Sequence, residues 1–303
     1  MKDRLNRPKR MADMLDTIFA VSRHHFVDFF KIFLVMLGPI ILLEAIILLA
    51  IGKPFFRDAA SGSNVFDSWI NTFLLEETIT SSIKEEITSI FSGLLILIFT
   101  FFGNVAVLYI VDFLRKGKAY DLTEEIKRSF SKTGAIIGSS ILIFIISFFA
   151  ILFIIVAAVM LTFFFDAFSP FAGVFFVILS VIAMIVILVF LILRIIFYLA
   201  RIAFGSSITE SFSESWNMTK GRVLSLFGIF FVLYIVIGII EEGIMFVVGL
   251  LLGNSVLYQF IFGLVLILTS VIMAVAYAVI YFDYVSRHDA ADLKEMIEQY
   301  KQQ

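Results

Sequence analysis

The chain has 303 residues, of which 61% are hydrophobic and 16% charged, and its net charge is −2. No soluble domain of this length could bury such an apolar excess, so the composition predicts an integral membrane protein. The slightly negative charge argues against nucleic acid as a partner, because no basic face is available. The absence of cysteine excludes disulfides, thiolate metal sites and cysteine nucleophiles.

Six long apolar stretches lie along the chain, and about 20 apolar residues in a helix suffice to cross a bilayer core. The predicted transmembrane segments are 26–51, 90–113, 135–165, 171–199, 223–243 and 256–282. Segment 243–252 is also apolar, and the sequence does not decide whether it extends the fifth span or lies flat at the outer interface. We therefore predict an all-α polytopic protein with six transmembrane helices in a single membrane domain, 1–303.

Lysine and arginine crowd alternate gaps between these spans. Six lie in 1–25, six in 112–134, four in 194–222 and three in 283–303, against three in 52–89. Short loops that are rich in these residues stay in the cytoplasm. The pattern predicts a cell-membrane protein with both termini in the cytoplasm and with 52–89 as an extracytoplasmic helical loop.

The cytoplasmic ends of the spans contain a weak internal repeat. An offset of 171 residues pairs Asp112 with Asp283, and an offset of 86 pairs Ser129-Phe130 with Ser215-Trp216. Each matching stretch places apolar residues at spacings of three and four, which is typical of a short helix lying in the membrane interface. We predict three transmembrane hairpins, each introduced by a cytoplasmic interfacial helix, with 1–25 as the first such segment and 283–303 as a closing C-terminal helix.

Three carboxylates are predicted to lie within or at the edge of the spans, namely Glu44, Glu241 and Glu242. Ionisable groups at membrane depth are candidates for function. The three could line an outward-facing pocket for a cation, a proton or an amine headgroup. Alternatively, Glu241 and Glu242 mark the outer end of the fifth helix, while Glu44 snorkels or pairs with a serine, an asparagine or Lys53.

A second charged set lies at the cytoplasmic ends of the second, sixth and fourth spans and consists of Asp112, Asp283 and Arg194. Opposite charges at one depth predict a structural ion pair that ties the hairpins together, since pairing limits the desolvation cost of each group. Alternatively, Arg194 reaches the interface by snorkelling.

The segment 211–222 suggests contacts with lipid headgroups. The candidate contacts are Arg201, Trp216, Lys220, Arg222 and Lys132. Tryptophan favours membrane interfaces, and cations at this level lie near anionic headgroup phosphates. The simpler interpretation is that these cations only set the orientation of the flanking spans.

No pattern in the chain predicts catalysis, a cofactor or a metal site. His24 and His25 are adjacent and point to different sides of a helix, which makes them a poor metal pair. Metalloprotease, phosphate-loop, nucleophile-elbow and dinucleotide-binding motifs do not occur in the sequence.

The run S-E-S-W-N-M-T-K-G-R at 213–222, followed by L-F-G at 226–228, resembles the membrane-domain family of glycerophosphodiester phosphodiesterases. The tail Y-F-D-Y-V-S-R…D-L at 281–293 is similar to that family's ending, from which Tyr284 and Ser286 depart. The resemblance implies a six-span domain linked to lipids or the envelope. It implies no catalytic domain here, because no soluble segment is long enough for one.

Together, these features favour a non-catalytic protein of the bacterial envelope that binds membrane lipids or scaffolds other membrane proteins. The alternative is a transporter, or a subunit associated with an ABC ATPase, that handles an amphiphilic or cationic substrate. An enzyme that acts on lipids is a third hypothesis, which no motif supports.

Overall fold

The structure is a computed structural model that describes residues 9–56, 83–166 and 170–301. Within these ranges it contains helices and their connections but no β-strand. The helices are α1 Met11–His24, α2 Phe26–Ile51, α3 Ile83–Lys116, α4 Leu122–Phe130, α5 Thr133–Asp166, α6 Pro170–Ile195, α7 Tyr198–Ala203, α8 Ile208–Met218, α9 Val223–Leu252 and α10 Val256–Lys301. The predicted all-α fold class is confirmed.

Six spans of the structure are long and apolar enough to cross a membrane, with mean hydropathies between 2.5 and 3.5. They are formed by α2, α3, α5, α6 with α7, α9 and α10. The six-span prediction is therefore confirmed. Helix α9 continues without a break to Leu252, so the undecided segment 243–252 extends the fifth helix. Most of the predicted loop 52–89 lies outside the described residues, and its last part, 83–89, belongs to α3.

The last helix is longer than the sequence suggested. We expected a span over 256–282 and a separate C-terminal helix over 283–303, whereas α10 is one helix from Val256 to Lys301. Neither glycine nor proline follows Gly263 in the chain, so no residue interrupts the helical pattern.

The contacts divide the chain into two compact units. Unit 1 consists of Met1–Phe130 and Ile229–Gln303, and unit 2 consists of Ser131–Gly228. In unit 1, α10 packs along α2 and α3, which also pack against each other, and α1 lies against α10. In unit 2, α5 and α6 pack as a hairpin, and α8 packs on α6 and α7. The single membrane domain of the sequence prediction gave no indication of this division.

Glycines allow α2 to approach its neighbours closely. A β-carbon added at Gly103 of α3 would lie 2.6 Å from the Phe33 ring, and one added at Gly263 of α10 would lie 2.6 Å from Ile41. Small residues at such contacts let membrane helices pack backbone to backbone. The two glycines therefore set the spacing of the three-helix core of unit 1.

The start of α10 is joined to the connection that follows α2. The backbone N–H groups of Val256 and Leu257 donate to the carbonyls of Pro54 and Phe55 at 3.0 and 3.1 Å. The first N–H groups of a helix have no partner within the helix. The connection after α2 therefore supplies the partners that the beginning of α10 requires.

The short helices α4 and α8 each bury a serine side chain, in addition to the ring contacts of Phe130 with Phe102 and of Phe212 with Tyr198. Ser129 of α4 and Ser215 of α8 are fully buried. Phe130 and Trp216, one position further along, are each 39% exposed. The exposed parts of these two rings suit the membrane interface predicted for these helices.

Helix α1 behaves differently from α4 and α8. Three of its apolar residues are buried, namely Met14, Ile18 and Val21. Because α1 packs against α10, protein covers Met14 and Ile18 of the apolar stripe that the sequence predicted for this helix, and Leu15 is half-buried. Met11 and Phe19 remain exposed.

Candidate lipid-headgroup site and polar sites

The fourth span is broken between α6 and α7, and a serine of α8 bonds to the backbone at the break. The Ser215 hydroxyl donates to the Arg194 carbonyl at 3.0 Å and accepts from the Phe197 N–H at 3.1 Å. A side chain that enters the hydrogen-bond ladder of a helix is a recognised cause of such breaks. Helix α8 is thus attached to the span at the level of Arg194.

Arg194 is 7% exposed and lies against the aromatic ring of Trp216. Its guanidinium carbon is 4.1 Å from the ring centroid, within the range of a cation–π interaction. Its Nη1 donates to the Thr219 hydroxyl at 3.4 Å, and its buried Nε has no hydrogen-bond partner among the described residues. Within the described part of unit 2, no carboxylate lies within 4.0 Å of this guanidinium. The charge is therefore buried, and the described residues of its own unit provide no counter-ion within 4.0 Å.

The other predicted headgroup residues have different surroundings. Arg201 forms a salt bridge with Glu214, which also accepts a hydrogen bond from Ser206 at 2.8 Å. Lys220 and Arg222 are exposed in the turn that follows α8. In the structure, Trp216 contacts Arg194, a residue that the sequence prediction had assigned to the ion pair with Asp112 and Asp283. Arg201 pairs with the carboxylate of Glu214.

Lys132, the remaining predicted headgroup contact, is half-buried just before α5. Its backbone carbonyl accepts from the N–H of Ile136 at 2.9 Å, in the first turn of that helix. A role of its ammonium in headgroup binding stays a prediction.

The two aspartates predicted to pair with Arg194 have partners within unit 1. Asp112 binds Arg115 at 3.1 Å and Lys116 at 2.5 Å, both on the same helix. Asp283 is 1% exposed and binds Arg287, one turn further along α10, at 2.5 Å. An ion pair of either aspartate with Arg194 would join the two units, and it stays a prediction.

Asp283 also holds the segment that precedes α1. Its carboxylate accepts from the backbone N–H of Lys9 at 2.8 Å, and Arg287 donates to the Lys9 carbonyl at 2.5 Å. Burial lowers the pKa of Lys9, although the charge of Asp283 acts in the opposite direction. The first and last parts of the described chain are thereby joined.

A hydrogen-bonded chain of His25, Tyr120 and Asp28 lies at the start of α2. The Tyr120 hydroxyl donates to Asp28 Oδ2 at 2.7 Å, so His25 Nδ1, 3.0 Å away, must act as the donor to the tyrosine oxygen. Burial lowers the pKa of His25, while Asp28 opposes this effect. Burial and the hydrogen bond to Asp28 raise the pKa of Tyr120. The sequence analysis missed this cluster, because no local pattern joins residues more than 90 positions apart.

Glu44 lines a cavity of about 260 Å³ within unit 1. Its polar neighbours at the cavity are Ser89, Ser92 and Gln259. The charge of Lys53 also acts on the Glu44 carboxylate, and Lys53 Nζ lies 3.6 Å from Glu85. Ser89 and Ser92 thus line the same cavity as Glu44, and a pairing of Glu44 with a serine or with Lys53 stays a prediction.

Glu241 and Glu242 are not among the described residues that line this cavity. They also do not mark the end of the fifth helix, because α9 continues for ten residues beyond Glu242. Glu241 is half-buried and Glu242 is exposed. The structure thus does not bring the three predicted carboxylates together at the Glu44 cavity.

Comparisons of the chain with protein-family models, with curated proteins and with solved structures found no match. The resemblance to the membrane-domain family of glycerophosphodiester phosphodiesterases therefore stays a prediction.

Proposed function

We propose that this protein is a non-catalytic membrane protein that binds the phosphate group of an anionic lipid at the Arg194 end of the fourth span. The observation that supports the proposal is the environment of Arg194. Its guanidinium is buried, stacked on Trp216 and hydrogen-bonded to Thr219, but it has no carboxylate partner within the described part of unit 2.

An unpaired buried charge is costly, and the cost falls when an anion completes its hydrogen bonds. A guanidinium has five N–H donors in a planar fork that matches the oxygens of a phosphate. Thr219 accepts from one of these donors, and Nε has no partner among the described residues. A lipid phosphate is the acceptor found at the level of an interfacial tryptophan.

The surroundings of Arg194 add to this argument. Lys220 and Arg222, which are both exposed, follow α8 within four residues of Met218. Two further cations in one short turn favour an anionic headgroup over a zwitterionic one. The predicted ion pair with Asp112 or Asp283 is the competing explanation for how the charge of Arg194 is balanced.

The experiment compares lipid binding by the purified full-length chain and its Arg194→Gln variant in mixed micelles of phosphatidylglycerol and phosphatidylcholine. Native mass spectrometry counts the lipids that remain bound. We expect the wild-type chain to retain phosphatidylglycerol preferentially. The variant should bind it about tenfold more weakly, which corresponds to the loss of a charge-assisted hydrogen bond.

Arg128 of α4 offers a matched control. Its guanidinium also lies 4.1 Å from a ring centroid, that of Tyr109, but Glu125 lies 3.6 Å from it. Arg128→Gln should change lipid binding by about twofold or less, since this arginine already has a carboxylate. Equal retention of phosphatidylglycerol by the wild type and Arg194→Gln would refute the proposal.

The alternative function, transport of a cationic or amphiphilic substrate, is favoured by one observation. The Glu44 cavity places a carboxylate within a predicted span, where ionisable groups often mark substrate pathways. Uptake of a labelled alkylammonium ion into vesicles that contain only this protein would support transport, and uptake equal to that of empty vesicles would contradict it.

A further inference from the structure

The cavity at Glu44 is lined by both polar and apolar residues. The polar groups are the Glu44 carboxylate, the hydroxyl groups of Ser89 and Ser92, and the amide of Gln259. These groups belong to α2, α3 and α10, the three helices that form the core of unit 1. The cavity is therefore lined by all three of the helices that pack on one another in unit 1.

The polar groups suit an ammonium ion. A primary ammonium has three N–H donors and no acceptor. The carboxylate, the serine hydroxyls and the amide oxygen of Gln259 are all hydrogen-bond acceptors. Among these groups Glu44 alone is ionisable, so a cation gains more from the site than a neutral hydrogen-bonding molecule does.

The remaining walls suit a short alkyl chain. They are formed by aliphatic and aromatic side chains, namely Ile41, Ile96, Phe262 and Leu266. A volume of about 260 Å³ lies just below the usual range of ligand pockets. The cavity therefore has room for a small ligand and not for a complete lipid.

Lys53 competes with any cation for Glu44. Its side chain is 6% exposed and lies 3.6 Å from Glu85, while its charge also acts on Glu44. Two carboxylates and one ammonium leave one negative charge uncompensated among these three groups. A second cation is therefore electrostatically acceptable beside Glu44.

We propose that this cavity binds a primary alkylammonium ion, with Glu44 as its counter-ion and the apolar walls around its alkyl chain. The proposal does not depend on lipid binding at Arg194, which lies in unit 2. It concerns binding, and it holds whether or not the ion is transported.

The experiment titrates n-butylammonium chloride into the purified full-length chain in a neutral detergent and measures the heat of binding. n-Butanol, which has the same chain and no charge, serves as the comparison ligand. We expect saturable binding of the ammonium ion and at least about tenfold weaker binding in Glu44→Gln, because the variant loses the charge pair. Lys53→Gln should change binding in the opposite direction, with about threefold tighter affinity.

A steric test uses Gly93, which lines the cavity and has nothing within 4 Å of an added β-carbon. Gly93→Leu should fill the cavity and abolish binding without straining the backbone. Gly238→Leu on α9 is the matched control, because an added β-carbon there also meets nothing within 4 Å and Gly238 does not line the cavity. It should leave the affinity unchanged.

Several results would overturn the proposal. One is equal binding of n-butanol and n-butylammonium, and another is unaltered affinity in Glu44→Gln; each would identify the cavity as a gap for apolar chains. Binding that survives Gly93→Leu would place the ion elsewhere on the protein. The absence of any saturable heat with the wild-type chain would also refute the site.

Discussion

The two units use their apolar residues in opposite ways. In unit 1, 67% of the most apolar stretch of α10 is buried by other parts of the protein. In unit 2, none of the corresponding stretch of α5 is buried, although its mean hydropathy is higher, at 3.3 against 2.5. Unit 1 is therefore stabilised by contacts among its own helices, whereas α5 leaves its apolar side chains to the lipid that surrounds a membrane helix.

The same contrast holds for the arginines at the two short helices. Arg128 and Arg194 each lie 4.1 Å from the centroid of an aromatic ring. In unit 1 the arginine belongs to the short helix, is exposed and has Glu125 beside it. In unit 2 the arginine belongs to the long helix and is buried. Arg128 therefore has a carboxylate beside it, whereas Arg194 has none within 4.0 Å in the described part of unit 2.

The first prediction concerns the equivalent serines of the two short helices. Ser215→Ala should lower the free energy of unfolding by about 2 kcal/mol, because it removes the two hydrogen bonds of the buried hydroxyl, to the Phe197 N–H and to the Arg194 carbonyl. Ser129→Ala should cost only about 0.5 kcal/mol, since Ser129 bonds to a carbonyl of its own helix. Reversible unfolding of both variants in mixed micelles measures the difference. Equal losses would show that the break in the fourth span does not depend on Ser215.

The second prediction concerns the residues that cap the short helices. Ser207 begins α8 with a capping box shared with Glu210, and Asp121 accepts from the N–H of Thr123 at the start of α4. Replacing either cap with alanine should cost about 1 kcal/mol, whereas Ser207→Gly should cost only a few tenths. The same unfolding measurement applies. A loss at one cap and none at the other would argue against equivalent roles for α4 and α8.

The smallest predicted effect is a dependence of the protein's stability on pH, and it originates in unit 1. Burial holds the pKa of His25 below its usual value of 6.5, so the unfolded chain takes up this proton first as the pH falls. Stability that depends on His25 should therefore be lost as the pH drops below about 6.5. Thermal unfolding between about pH 7.5 and about pH 5.5 should show a smaller decline for His25→Gln than for the wild type.

His24→Gln is the matched control for this effect. His24 is exposed and contacts only the Ala20 carbonyl of its own helix among the described hydrogen bonds. Its replacement should change the pH dependence much less than His25→Gln does, because the charge of His24 is the smallest of the causes that act on the pKa of His25. An equal effect of the two replacements would assign the dependence to the general charge of this segment rather than to the contact between His25 and Tyr120.

The sequence predicted the features that depend on local pattern. Hydropathy located six spans, with α2 at its observed bounds, and apolar spacing located α1, α4 and α8. Trp216 is 39% exposed near the end of α8, and its predicted contact with lipid headgroups stays a prediction. These features follow from composition and from the period of a helix.

The remaining features depend on contacts that no local pattern contains. The bonds of Ser215 at the break in the fourth span require α8 to fold back onto α6 and α7, and the sequence showed only a polar segment. The sequence predicted the position of Glu44 along α2. It did not predict which faces of α2, α3 and α10 meet at the cavity. The internal repeat stays a prediction, although Asp121 and Ser207 cap their helices at positions that the predicted offset pairs.

Unit 1 is built from two distant parts of the chain, and this constrains the order in which the protein folds during its synthesis. The core of unit 1 includes α10, whose first N–H groups donate to the carbonyls of Pro54 and Phe55. Further along α10, Asp283 accepts a hydrogen bond from the backbone N–H of Lys9. These contacts form only after the last span has been synthesised and inserted. Unit 2 is continuous in sequence and has all its residues beforehand. During biosynthesis, all of unit 2 is therefore synthesised before the two parts of unit 1 can pack together.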